Sequence, residues 1–138
     1  MERERKIIVT QQDLARLHAL IEGVASERNI EAAEALEAEL ARAQVVEPSA
    51  IPKDVVTMNS RVRFVDESTG AEREATLVYP KDASATEGRI SILAPVGAAL
   101  MGLRAGDSID WPMPNGRHKR LRIVEVLWQP EAAGEFEL

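Results

Sequence analysis

The chain has 138 residues, a formal net charge of −6 and no cysteine. That length makes one domain, or a small domain with an appendage, and the missing thiols exclude a disulfide framework, a thiolate nucleophile and cysteine-type zinc sites. Aromatic residues supply 4% of a sequence that is 45% hydrophobic, so the core must be packed from Val, Ile, Leu, Ala and Met. No apolar run is long enough to span a bilayer, and the charged start Met1–Lys6 is not followed by a secretory core. A cytoplasmic protein without membrane contact is expected. The acidic balance argues against direct, sequence-specific nucleic-acid binding, which needs clustered Lys and Arg to displace counterions.

Ile7-Ile8-Val9 is a short β-prone run, either an edge strand or an apolar anchor for the start of the next helix. Thr10 to Asp13 reads as a helix cap, with a hydroxyl for an orphan amide and an acid at the positive end of the dipole. Leu14, Leu17, Ile21 and Val24 then form an apolar stripe that ends near Gly23. A second stripe runs through Ala33, Leu36, Leu40 and Ala43. Two such helices with a short polar connection predict an antiparallel hairpin, only about 20 Å long. A pair this short is marginal alone and must lean on the C-terminal part of the chain.

Glu47–Pro52, with two prolines, marks the boundary between an N-terminal part (1–47) and a C-terminal part (48–138). Beyond it the apolar period falls towards two. Strands are predicted at Arg61–Val65, Glu72–Tyr79, Arg89–Leu93, Ser108–Trp111 and Leu121–Trp128. The expected architecture is an antiparallel sheet with one helical insertion, an α+β fold. The basic run Arg117–Arg122 alternates as a strand with a charged outer face would. Within Ile92–Asp107, Pro95 stops a strand, Val96–Met101 allows a short helix, and Gly102 and Gly106 mark turns. The short apolar loop and helix within this stretch hold no residue for acid, base or nucleophilic chemistry.

Candidate chemistry elsewhere is sparse. His18 and His118 lack a second ligand at helical spacing. Glu22, Glu27, Glu31 and Glu34 gather around the hairpin connection, where paired acids would suit a shared metal ion, although acid-rich helices mostly present a solvated face. Tyr79, Trp111 and Trp128 lie near strand ends and would line a pocket of the prolyl-isomerase type, or else fill the core. No phosphate loop, dinucleotide fingerprint or nucleophile elbow is present.

Asp54–Phe64, Thr76–Pro80, Ala94–Ile109 and Gln129–Gly134 together resemble the family of regulators of nucleoside diphosphate kinase, Rnk, which is similar to the Gre transcript-cleavage factors. Gly88–Ser91, Pro95–Gly102 and Gly106-Asp107 carry the Gre-like part. The resemblance implies a short coiled-coil hairpin followed by an FKBP-like sheet domain with one short helix. It also implies RNA polymerase as partner, bound near the secondary channel. In Gre factors a long hairpin carries two tip acids to the catalytic magnesium. Here the tip motif Asp-Leu-Ser-Glu-Asn is replaced by Ala25–Asn29, with Glu27 its one acid, and the hairpin is shorter. The expected function is therefore a non-catalytic, monomeric transcription regulator that competes with Gre-type factors, with no cofactor and no bound metal. Pro95, Val96, Leu100 and Met101 are the expected polymerase contacts. The alternative is an enzyme-type role, as a prolyl isomerase or as a stimulator of transcript cleavage through Glu27 and Glu31.

Overall fold

The computed structural model describes residues 7–23, 30–112 and 116–135. Strand β1 (Ile8–Thr10) leads directly into α1 (Gln11–Gly23), and α2 (Ile30–Ala41) leads into β2 (Gln44–Val46). The strand and the anchor expected at Ile7–Val9 coexist. β1 pairs parallel with β2, while Ile7 and Val9 are buried in the core. The short strand β2 is not expected from sequence, because three residues carry too little pattern to declare a strand.

The C-terminal part forms β3 (Arg61–Asp66), β4 (Ala71–Val78), β5 (Arg89–Ser91), α3 (Pro95–Leu100), β6 (Ser108–Pro112) and β7 (His118–Trp128). The five-stranded sheet has the order β5-β4-β3-β7-β6. It is not wholly antiparallel, since β4 and β5 run parallel. The polar loop between them contains two 3-10 turns, Pro80–Asp82 and Ala85–Glu87, which return the chain so that β5 can run alongside β4. Arg89 closes the loop by donating its Nε to the Asp82 carbonyl at 2.8 Å. The β3–β4 turn holds because Asp66 Oδ1 accepts from the Ser68 amide at 3.0 Å and Gly70 takes a positive φ.

Alternation gives the sheet two unlike faces. Val62, Phe64, Leu77, Ile109, Leu121 and Ile123 point inward and are buried. The outer face carries ion pairs. Arg61 and Arg63 reach Glu74 at 2.8 and 3.4 Å, and Arg120 and Arg122 reach Glu67 at 3.2 and 3.3 Å. The basic run is thus the charged sheet surface its alternation predicts.

One core crosses the boundary at residue 47. Val9, Leu17, Leu36 and Leu40 join Val56, Met58, Ile92 and Leu103 in a single buried cluster. The helices bury their stripes largely as read, with Leu17 and Leu36 fully buried and Leu14 and Ile21 partly so. Val24 lies outside the described residues.

The turn after α3 joins the two parts. Gly102 has φ +79°, donates its amide to the Val56 carbonyl at 2.9 Å and accepts from the Ile8 amide at 3.1 Å. A Cβ placed there would sit 2.5 Å from the Ile7 Cβ. Gly102→Ala is therefore expected to destabilise the protein by about 2 kcal/mol or more, through both backbone strain and the clash. A urea titration checks this, and an unchanged midpoint would contradict it.

Candidate functional site

The α3 segment is held from three sides. Gly97 packs so closely on the Ser91 backbone that a Cβ would collide with the Ser91 carbonyl oxygen. Pro95 stands at the first helical position after an extended Ala94, where its missing amide costs nothing. Asp107 Oδ2 accepts from the Arg104 amide at 2.9 Å, closing the turn that leads into β6.

This placement divides the four residues read as surface contacts. Leu100 and Met101 are each 1% exposed and belong to the core. They are corrected from surface anchors to packing residues, because α3 turns its C-terminal end against α2 and the sheet. Val96 is only partly buried, at the edge of that core. Pro95 begins the helix beside it.

The aromatic trio is not one pocket. Trp111 is buried, Tyr79 lines a groove against α1, and Trp128 lines a separate groove beside Arg61. Of the hairpin acids, Glu27 lies outside the described residues, and Glu31 falls in the first turn of α2. His18 is exposed on α1, and His118 Nδ1 lies 3.2 Å from Asp110 Oδ1. Among the described residues no group of three or more His, Asp or Glu side chains is arranged to hold a metal ion.

A polar network that sequence reasoning did not single out ties α1 to the C-terminal part. Thr10 caps α1, its Oγ1 accepting from the Asp13 amide at 3.0 Å. Asp13 stands at the third helical position, where an acid commonly turns back to the cap. Here its Oδ2 accepts instead from the Met58 amide at 3.1 Å, across 45 residues of sequence. Burial pushes the Asp13 carboxyl up to about 6, the Met58 amide opposes that rise, and the charge of Glu131 adds to it. Burial also raises the Tyr79 hydroxyl well above its ordinary range, with the charge of Asp13 contributing.

The turn after β7 is fixed by similar means. Thr57 donates its hydroxyl to Glu131 at 2.7 Å. Buried Gln129 donates to the Pro52 and Val55 carbonyls, both at 2.8 Å, and accepts from the Ala132 amide at 3.1 Å. Thr10 and Asp13 were legible as a cap, but their partner Met58 was not. Gln129 lies in a stretch that carries the family resemblance without a physical role visible in sequence.

The chain is thus a short helical pair packed on a five-stranded sheet, with an α3 segment framed by Gly97 and Gly102. Residues 51–127 match the family model for the C-terminal part of the transcription elongation factors GreA/GreB, and residues 5–46 match the Rnk N-terminus model. The Regulator of nucleoside diphosphate kinase from Escherichia coli is 48% identical over 132 residues, covering 96% of each chain. A solved GreA/GreB-type elongation factor from Nitrosomonas europaea superposes with a TM-score of 0.71 at 52% identity, covering 90% of this chain and 99% of that one. GreA from Helicobacter hepaticus is 32% identical, covering 93% of this chain and 83% of its own length. The chain belongs to the Rnk family, the regulators of nucleoside diphosphate kinase related to the Gre factors.

The buried groups lead to two expected outcomes. Met101→Glu places a charge in the core and is expected to unfold the chain, read as loss of the cooperative thermal transition. A folded Met101→Glu protein would mean that this side chain faces solvent. Asp13 binds its proton more tightly in the folded state than in the unfolded one. Its contribution is therefore full below about pH 4 and is lost as pH rises to about 6. The loss is on the order of 3 kcal/mol. Asp13→Asn is expected to remove this component, so that its stability relative to the parent rises between pH 4 and 6 in urea titrations. Parallel profiles for the two proteins would contradict the assignment.

Proposed function

We propose that this chain is a non-catalytic transcription regulator that binds RNA polymerase near the secondary channel and competes there with Gre-type factors. The observation that carries this reading is the match of residues 51–127 to the GreA/GreB C-terminal model, joined to helices that span 13 and 12 of the described residues. At 1.5 Å per residue each helix is about 20 Å long, too short to carry a side chain far into a channel. On this reading the sheet part docks and the hairpin does not deliver chemistry. The five strands with their α3 cover serve as an FKBP-like scaffold without isomerase activity, since function lies in the site and not in the scaffold. The division at residue 47 then separates roles, although the two parts share one core.

The contact is assigned to the start of α3. Pro95 and Val96 are its proposed contact residues, while Leu100 and Met101 hold the helix from beneath. The influence on nucleoside diphosphate kinase that the relatives' name records is taken as indirect, through transcription. The chain acts as a cytoplasmic monomer with polymerase as its protein partner and no direct contact to specific nucleic-acid sequence. No helix among the described residues is long and apolar enough to cross a membrane.

Purified polymerase is expected to retain the chain in a pull-down, and excess Gre-type factor should displace it. Val96→Glu should keep the parent melting temperature yet lose at least tenfold in affinity, about 1.4 kcal/mol. Stalled elongation complexes given magnesium and the chain should show no added transcript cleavage. Cleavage lost on changing Glu27 and Glu31 would instead establish the enzyme-type role.

A further inference from the structure

Two grooves adjoin at the end of β4. The first, of about 830 Å³, lies between α1 and the turn after β4 and is floored by Leu20, Tyr79 and Pro80. The second, of about 720 Å³, runs over the sheet beside Trp128. Asn59 and Asp82 line both, so the grooves meet there. Asn59 is the one described non-glycine residue with a positive φ, +69°, and its amide is held by the Leu77 carbonyl at 2.6 Å. The backbone at the junction is therefore held in a sparsely populated conformation by its surroundings.

The lining differs from the rest of the surface in charge. The chain carries −6 overall, yet Lys81, Arg61 and Arg89 line this strip with one acid, Asp82, in the lining itself, and Arg16 lies near buried Asp13. Arg61 pairs with Glu74, and Arg89 with Glu87, in exposed contacts. Exposed pairs contribute little, about 0–1 kcal/mol each, so a partner's carboxylates exchange for them at small cost. Trp128 is 40% exposed, one of two large hydrophobic side chains so open among the described residues. Trp128 lies opposite Arg61 across the β3–β7 pairing, with Arg89 further along the same row of the sheet, and tryptophan and arginine are enriched among the residues that anchor protein interfaces.

We infer that this strip is a docking surface for an acidic segment of a partner protein with an apolar anchor, the anchor seated against Trp128 or Tyr79 and its carboxylates on Lys81, Arg61 and Arg89. A protein segment fits better than a nucleic acid. The floor is largely apolar, and the net acidic charge opposes a polyphosphate backbone over its whole length. The inference is independent of the α3 contact assigned above, and stands or falls separately.

The test is fluorescence anisotropy with a labelled short peptide of Glu and Asp around a central Leu pair, titrated with the intact chain. Saturable binding that weakens with added salt is expected. Trp128→Ala and the double variant Lys81→Glu, Arg89→Glu should each weaken it tenfold or more, while Lys53→Glu, outside both grooves, should leave it unchanged. Thermal melts identify any variant that fails to fold, and Trp128→Phe, expected to keep most of the affinity, then replaces Trp128→Ala. The inference is overturned by no saturable binding, by equal binding of a peptide with Ser in place of Leu, by affinity unmoved in the Trp128 and Lys81 variants, or by tighter binding of oligouridylate than of the peptide.

Discussion

The structure depends on a backbone conformation at Gly102 that side-chain-bearing residues adopt only with strain. With φ at +79° the chain leaves α3, turns beneath Ile7 and bonds on one side to Ile8 and on the other to Val56. Without that turn β1 would lose its backbone tie to the C-terminal part, and the helices would lose their seat on the sheet. Helices that span 13 and 12 of the described residues are too short to persist on helix propensity alone. Their stability is borrowed from the core that Leu17, Leu36 and Leu40 share with Met58 and Leu103.

Asp13 strengthens this attachment at a cost. Its carboxylate satisfies the Met58 amide, which would otherwise be buried without a partner, but the charge itself sits in a site that disfavours it. The bond offsets part of that cost, since a buried amide left unpaired costs about 1–3 kcal/mol. Gln129 solves the same problem without charge, satisfying two carbonyls and an amide with one neutral side chain. Together these groups fix α1, the connector before β3 and the turn after β7 to one another. On the functional account this rigidity presents the start of α3 as a shaped surface.

Local signals were legible where the physics is local. The Thr10 cap, the two apolar stripes, the five strands and the positive φ at Gly102 all follow from residue type and spacing. The parallel pairing of β5 was not legible, because direction is set by how the 3-10 turns after Tyr79 route the chain. Burial of Leu100 and Met101 was misjudged for a related reason. A short apolar segment reads alike whether it faces solvent or core, and only the packing of α3 on α2 and the sheet decides. The Asp13–Met58 and Thr57–Glu131 bonds join residues 45 and 74 positions apart, a range over which a single sequence carries no pairing signal.

The molecule, on this account, acts by occupying a place on the transcribing enzyme, with a helical arm that stops short of the reaction. An electron cryo-microscopy reconstruction of RNA polymerase mixed with this chain tests that most directly. The predicted result is the sheet part seated at the channel entrance through the start of α3, with the hairpin tip well away from the catalytic magnesium. Polymerase with an empty entrance, or a hairpin tip in contact with the metal, would contradict it.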